Sequence, residues 1–498
     1  MVDSLINNLT LALDSETVKE EIKVEVKTDV QSDSVGKILG VTARVMGLSS
    51  KISDGEIVSE GKVNLQICYY SDGEIKKTEC YADFKGNKPI SCQFASDVVT
   101  SALIYKEEAD LSGIKLLVSA VVALNHTVRC LKETPIKTFN EDLVCNTKPV
   151  KLVKCYGTKK TVYPIEEEFE LDFEVKEVLS QSATCALTAV QCGVGTVIAD
   201  GEIFLSAMLL QSGDKRVIIK NEKVIPLRAE LEFEGAMPEN TAISNAIVRS
   251  FKTDVQVDGE TGKSTVNASV ILDFSSQVFA EEEKELVVDA FSTEKEVDVV
   301  REEFSCSYPL YMRSITTDIC EKATLYNLKE SSEIVCVTGE KIEIISSSQV
   351  ADTVSITGVI SLLLIFKQEQ EYYSQRLQVP FEKSLLIGEV NCQNLECNAC
   401  FRNVSVSLNG EEAEINSEVV FGIKLFKKDT CKHVIGIELK NEKVKETAAI
   451  SVYIAEDGET LFGLAKRLNV SPEVIKATNK ELEFPLDKKE RIVVYRKL

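Results

Sequence analysis

The stretch A-D-G-E-I-F-L-S-A-M-L-L, Ala199–Leu210, decides the fold prediction. After Gly201, apolar side chains stand at every second position, at Ile203, Leu205 and Ala207. An apolar period of two is typical of a β-strand with one face on a hydrophobic core. We therefore predict a half-buried strand here.

The same pattern occurs twice more in the chain. S-E-G-K-V-N-L-Q-I-C-Y-Y begins at Ser59, and I-T-G-V-I-S-L-L-L-I-F begins at Ile356. A second shared apolar segment follows each of the three stretches, at Ile114–Leu124, Lys263–Phe274 and Glu411–Phe426. Similar segments at a fixed spacing indicate internal repeats, here of roughly 150 residues, which is an ordinary domain size.

The predicted fold class is mainly β, with three tandem β-rich, sandwich-like repeat domains and a small βααβ domain. The sequence leaves open whether the repeats are sandwiches or mixed α+β units. The predicted ranges are 1–148 for an N-terminal segment and the first domain, 149–298 for the second, 299–446 for the third and 447–498 for the βααβ domain.

The stretch V-D-G-E-T-G-K-S-T-V, Val257–Val266, resembles a phosphate-binding loop at first sight. Such a loop needs an earlier glycine, where this chain has Val257, and a helix after it. The residues that follow alternate and are rich in β-branched side chains, which favours a strand. Because Gly262 aligns with Gly113 in the first repeat, we predict a β-hairpin turn and no nucleotide site.

Composition and charge exclude several classes of function. The 498 residues carry a formal net charge of −22, which argues against nucleic acid and anionic membranes as main partners. We find no signal peptide and no apolar segment long enough to span a membrane, so we expect a cytoplasmic protein.

The cysteines permit two interpretations. Cys392, Cys397 and Cys400 form C-x4-C-x2-C, and Cys431 and His433 follow. This set could hold zinc, but no second C-x2-C knuckle is present, so ordinary packing thiols are the preferred interpretation. We expect the 15 cysteines to be reduced and predict no metal site.

No catalytic constellation is evident, and we predict neither an enzyme nor a cofactor. Of the two histidines, His126 stands at the predicted end of a strand, where we expect a surface or edge position. A glycan hydrolase would require a catalytic domain that the sequence does not show.

The last fifty residues have a different pattern. The strand S-V-Y-I-A precedes a turn at Asp457-Gly458, and Thr460 can cap a first helix. Ser471 and Pro472 are typical of the start of a second helix. The final strand R-I-V-V-Y would complete a βααβ unit.

This segment resembles the LysM module, in which a strand is followed by Gly-Asp-Thr-Leu, two helices, an asparagine and a closing strand. Gly458-Glu459-Thr460-Leu461 matches with Glu in place of Asp, and Asn479 matches the asparagine. The usual Pro-Gly before the last strand is replaced by charged residues at 488–490. Such modules generally bind N-acetylglucosamine polymers.

The repeats resemble SPOCS domains through their x-Gly-x-(Val/Ile)-x-Leu strands and through the segment Arg301–Ala323, which opens the third copy. Three such repeats followed by one LysM resemble the SipL-like family of spore-coat assembly proteins of clostridial endospore formers. The resemblance implies a non-enzymatic scaffold in the mother-cell cytoplasm, at the forespore surface. It implies that the LysM binds the coat morphogenetic ATPase (the stage IV A sporulation protein), and that the repeats bind other spore-coat proteins. The alternative is a peptidoglycan-binding protein anchored at the cell wall or cortex.

The residues expected to form the partner surface lie in the LysM-like segment. They are Asp457, Gly458, Thr460, Leu461, Lys466, Arg467, Ile475, Lys476, Asn479 and Lys480. Leu461 and Ile475 also fit the apolar stripe of a helix core, whereas the lysines and Arg467 fit an exposed surface.

Overall fold

The computed structural model describes residues 6–31, 35–92, 95–139, 143–213, 217–326, 332–388, 392, 394–443 and 449–496. Strands make up most of these ranges, which confirms the predicted mainly β class. No helix within these ranges has the length and apolarity that crossing a membrane requires.

In the described part of the chain, the first eighteen strands form three sets of six in chain order. The first set is β1 (Ile6–Gln31), β2 (Lys37–Ser53), β3 (Glu56–Ser71), β4 (Glu74–Pro89), β5 (Ala95–Ser112) and β6 (Lys115–Phe139). The second set is β7 (Val144–Leu171), β8 (Val175–Cys192), β9 (Thr196–Gln211), β10 (Ile218–Glu232), β11 (Thr241–Asp258) and β12 (Lys263–Phe291). The third set is β13 (Lys295–Thr324), β14 (Glu333–Val350), β15 (Thr353–Gln368), β16 (Glu371–Leu386), β17 (Asn394–Asn409) and β18 (Glu412–Glu442).

A C-terminal unit follows the third set. It consists of β19 (Ile450–Ala455), α1 (Leu461–Leu468), α2 (Pro472–Thr478) and β20 (Glu490–Tyr495). This is the predicted strand–helix–helix–strand order. The predicted boundary between 446 and 447 lies outside the described residues, whereas those at 149 and 299 fall within β7 and β13.

Each set contains two antiparallel sheets of three strands with the same connectivity. In the first set the orders are β1-β6-β5 and β2-β3-β4. The second set has β7-β12-β11 and β8-β9-β10, and the third has β13-β18-β17 and β14-β15-β16. The central strand of one sheet is therefore always the third of its set, and that of the other sheet is the sixth.

The core of each set lies between these two central strands. In the second set, Ile203 and Leu205 of β9 are buried in one cluster with Val270, Leu272 and Phe274 of β12. Ile203 and Leu205 are buried as predicted, but Ala207 is only partly buried. Phe204 and Met208 on the other face are buried as well, so the predicted half-buried strand is wrong in this respect: β9 is covered on both faces. The other two sets have equivalent clusters, so each set buries apolar surface on the inner faces of both sheets.

The segment that resembles a phosphate loop is a hairpin turn between β11 and β12. Asp258 pairs with Lys263 across it, and Gly262 has φ +69°, a conformation that favours glycine. Gly113 and Gly410 occupy the corresponding turns of the other sets with φ +65° and +63°. The predicted hairpin is confirmed.

The three sets of strands also pack against one another. A buried cluster combines Leu39 from the first set, Leu179 and Leu210 from the second, and Cys336 and Ile365 from the third. The first and third sets are also joined by charges. The Glu107 carboxylate, whose side chain is only 3% exposed, lies 2.6 Å from Lys341 Nζ and 2.9 Å from Arg376 Nη1.

His126 is buried, and its expected surface or edge position is wrong. It lies on β6, the central strand of its sheet, and is 2% exposed. Its Nδ1 lies 2.9 Å from Thr100 Oγ1 on β5. Burial lowers the pKa of the imidazole below its usual range.

One cysteine pair departs from the expectation of reduced thiols. Cys92 and Cys130 form a disulfide. The partners are 38 residues apart in sequence. The irregular spacing of the cysteines in the sequence does not indicate this pairing. The pairing results from the sheet, which brings residue 130 back to the loop after β4.

Candidate functional site

The C-terminal unit is positioned by helix caps that the sequence predicts. Thr460 is the N-cap of α1, and its Oγ1 accepts a hydrogen bond from Gly463 N at 3.1 Å. Ser471 is the N-cap of α2, with Pro472 at the first helical position and Glu473 in the first turn. Asn469 ends α1 in the left-handed conformation. These local signals explain why two short helices occur among the strands of the described residues.

Some of the residues predicted at the partner surface lie in the core of the C-terminal unit. Leu464, Ala465 and Ile475 are fully buried, and Leu461 is partly buried against them. Leu461 and Ile475 therefore stabilise the unit from inside. Their side chains are placed as the apolar stripe predicts, rather than on an open surface.

Asn479 is fixed by hydrogen bonds to the backbone. Its Nδ2 donates to Ile475 O and to Val493 O, each at 2.8 Å, and its Oδ1 accepts from Val493 N at 2.9 Å. The side chain thereby connects the C-terminal end of α2 to the closing strand β20. Its oxygen and nitrogen are used within the unit, which explains why asparagine is placed here.

The loop before α1 is held by charge. Gly458, at φ +75°, donates its N–H to Leu486 O at 2.8 Å, while Asp457 is exposed beside it. Glu459 accepts from Arg467 at 2.8 and 3.0 Å. Burial alone would raise the pKa of the Glu459 carboxyl, but the Arg467 hydrogen bonds and the backbone bond to it lower it on balance. Arg467 thus stabilises the loop.

One side of α1 packs on the second set. The rings of Phe462 and Phe291 meet edge to face, with centroids 5.4 Å apart. Lys466 Nζ lies 2.6 Å from the carboxylate of Asp289. Asn469 Nδ2 donates to Thr293 O at 3.1 Å. The side chain of Lys466, expected at a partner surface, therefore makes an intramolecular ion pair in this structure.

Two of the predicted basic residues remain available. Lys476 and Lys480 are exposed on and just after α2, and within the described residues neither forms an ion pair. An isolated exposed charge contributes little to binding free energy. The predicted residues are thus divided between the core of the unit, intramolecular contacts and exposed positions.

A surface that the sequence did not reveal lies on the two-stranded sheet of β19 and β20, on the side that faces away from the helices. Ile450, Val452 and Ile454 of β19 are 58%, 62% and 54% exposed, and Tyr495 of β20 is 54% exposed. Tyr495 pairs with Ile450, and Val493 pairs with Val452 on the same side. We call these five residues the outer apolar face.

The outer apolar face is unusual for a water-exposed sheet surface. Side chains alternate between the two faces of a strand, so the solvent side of a two-layer unit is normally polar. In I-S-V-Y-I-A the β-branched residues point outward, while Ser451, Tyr453 and Ala455 face the helices. The exposed part is on the order of 400 Å², which is in the range of the largest apolar patch on a typical monomer.

Arg491 lies at one end of the outer apolar face. It pairs with Ile454 and is exposed, and no carboxylate in the described part of the chain forms an ion pair with it. An apolar centre beside an arginine is a common composition of protein-binding hot spots. The surface is suited to a protein partner that offers an apolar patch and a carboxylate.

The cysteine cluster is dispersed. Cys397 and Cys400 lie on β17, opposite Ile423 and Val420 of β18, whereas Cys431 lies eight residues beyond Ile423 on that strand. Eight residues of strand span about 26 Å. Within the described ranges no group of three His, Cys, Asp or Glu residues is placed to hold a metal ion.

In comparisons with known proteins, no family model, no curated protein and no solved structure matches the chain.

Proposed function

We propose that the chain is a non-enzymatic scaffold of spore-coat assembly. The three sets of strands are copies of one SPOCS-like module, and the C-terminal unit is a LysM module. This LysM binds the coat morphogenetic ATPase in the mother-cell cytoplasm, at the forespore surface. The body then presents further coat proteins to the growing layer and helps to encase the forespore.

Two features support the assignment of modules. The strand connectivity is the same in all three sets, and the corresponding hairpin turns carry glycines at positive φ. The C-terminal unit has the element order of a LysM module, and Thr460 and Asn479 occupy structural positions within it. The resemblance of the sequence to the family supplies the partner.

The outer apolar face is the single observation that carries the binding proposal. A standard interface buries about 800 Å² on each partner, roughly twice the area of this face. The face therefore forms the centre of a contact, with Arg491 and neighbouring polar residues at its rim. Apolar burial supplies the free energy, and the arginine supplies orientation.

The experiment is a pull-down from sporulating cells with the full-length protein as bait. We expect Val452→Glu to abolish recovery of the ATPase, because a charge would be buried at the centre of the contact. The matched control is Val350→Glu, at a residue that is 70% exposed on β14. Equal recovery with both variants would contradict the proposal.

The alternative, a peptidoglycan-binding protein, is tested with the same proteins. It predicts that the full-length chain binds chitooligosaccharide or peptidoglycan through the loops at 456–460 and 479–489. Val452→Glu would leave that binding unchanged, since the outer apolar face lies on the strands. Saturable glycan binding without ATPase recovery would favour the alternative.

A further inference from the structure

A large cavity lies where the three sets of strands meet. Its volume is about 920 Å³, near the upper end of the range for small-molecule sites. Strands β2, β8 and β14, one from each set, contribute to its walls. Tyr81 and Ile247 line it and are 55% and 42% exposed, so the cavity reaches the protein surface.

The cations around the cavity are paired with carboxylates in all but one case. Lys220 lies 2.7 Å from Glu222, and Lys341 lies 2.6 Å from Glu107. The remaining two pairs are Lys252 with Asp254 at 2.7 Å and Arg402 with Glu418 at 3.1 Å.

Arg44 is the exception. Its Nη2 donates to the backbone carbonyl of Gln181 at 2.8 Å, and no ion pair links it to a carboxylate of the described residues. Glu79 and Glu340 act on it only at longer range. Glu79 is itself held by Lys77 at 3.0 Å. Burial lowers the pKa of the Arg44 guanidinium, and the charges of Glu340 and Glu79, which also line the cavity, offset part of this effect.

Within the described ranges, two buried polar atoms on the cavity wall also have no hydrogen-bond partner. They are Gln181 Oε1 and Thr253 Oγ1. Buried polar atoms without a partner are rare in native proteins, because each costs the free energy of its lost hydration. A cavity that carries one cation without a direct ion pair and two polar atoms without a hydrogen-bond partner, all counted within the described residues, has the composition of a ligand site.

We propose that this cavity binds a small organic anion whose carboxylate or phosphate group pairs with Arg44. The Thr253 hydroxyl and the Gln181 side-chain oxygen hydrogen-bond to the polar groups of the same molecule. The three sets all contribute walls, so the anion stabilises their packing against one another. This site is independent of the outer apolar face and of the proposed function.

The experiment measures anion binding to the full-length protein by titration calorimetry, with thermal unfolding in parallel. The probes are citrate for carboxylates and pyrophosphate for phosphates, at constant ionic strength set with sodium chloride. We expect saturable binding of at least one probe and a rise in the unfolding temperature. Arg44→Gln should weaken binding about tenfold or more, since it removes a charged hydrogen bond.

Two further variants keep the proposal falsifiable if Arg44→Gln does not fold. Gln181→Glu preserves size and places a carboxylate on the cavity wall, at the residue whose backbone carbonyl accepts from Arg44, so its negative charge should also weaken anion binding about tenfold or more. Arg228→Gln, at an exposed arginine paired with Asp200, should bind like the wild type. The proposal is overturned if neither probe binds saturably, or if Gln181→Glu binds as tightly as the wild type.

Discussion

Replacing Asn479 by alanine separates a structural role of this residue from a role in partner recognition. The change removes three hydrogen bonds to the backbone of Ile475 and Val493. Each net hydrogen bond contributes about 1 kcal/mol, and a buried backbone group left unpaired costs more. The C-terminal unit should therefore lose about 2–4 kcal/mol of stability relative to its locally unfolded state.

Hydrogen exchange of the full-length protein, followed by mass spectrometry, measures this loss locally. A change of 2 kcal/mol corresponds to exchange about 30-fold faster for amides that exchange by opening of the unit. We expect this acceleration in peptides that cover β19 and β20, while the three sets of strands remain unchanged. Lys480→Ala, at the exposed neighbouring residue, is the matched control and should exchange like the wild type.

The refuting result is specific. If Asn479→Ala left exchange in β19 and β20 unchanged but abolished recovery of the ATPase, the asparagine would be a direct contact residue. Its hydrogen bonds to Val493 would then not be what holds the closing strand, and the account of the unit would be wrong.

Three further predictions concern the body of the protein. Glu107→Gln should lower the free energy of unfolding by about 3 kcal/mol, because it removes the buried carboxylate that compensates the partly buried Lys341 and Arg376. The exposed control Glu108→Gln should change it little. Urea denaturation measures both variants, and equal midpoints would contradict the prediction. The pKa of His126 is lowered in the fold, so the unfolded chain takes up a proton first as pH falls below about 6.5. The free energy of unfolding should therefore decline below that pH. His126→Gln should flatten the decline in denaturation curves measured from about pH 7.5 to 5.5. Reduction of the Cys92–Cys130 disulfide should lower the free energy of unfolding by about 4 kcal/mol, because the bond closes a 38-residue loop in the unfolded chain. Alkylation of both thiols in the absence of reductant would refute the pairing.

The sequence predicts the features that depend on local pattern. Alternating apolar residues such as Ile203 and Leu205 are buried on β9, and the glycine turn at Gly262 joins two strands. The caps at Thr460 and Ser471 start helices. Each of these depends on residues a few positions apart, so a linear pattern contains the necessary information.

Features that depend on distant pairing were not predictable. His126 lies on a central strand because β1 and β5 pair with both edges of β6, and β1 is more than 80 residues away in sequence. The same long-range pairing brings Cys130 to Cys92. Hydrophobic period alone does not reveal strand order, and strand order decides which residues are enclosed.

The outer apolar face shows a second limit of pattern reading. In β19 both alternate faces carry side chains that could be buried, with Ile450, Val452 and Ile454 on one and Tyr453 and Ala455 on the other. The sequence favours a strand but does not indicate which face the helices cover. In the structure the helices cover the face with the smaller apolar content, which leaves the outer apolar face in the open.

The most direct test of the central claim is an affinity measurement between the purified coat morphogenetic ATPase and the full-length protein. The account predicts that Val452→Glu raises Kd at least about tenfold, equivalent to about 1.4 kcal/mol, while Val350→Glu binds like the wild type. If Val452→Glu folds and binds the ATPase with unchanged Kd, the outer apolar face is not the recognition surface, and the scaffold account is contradicted.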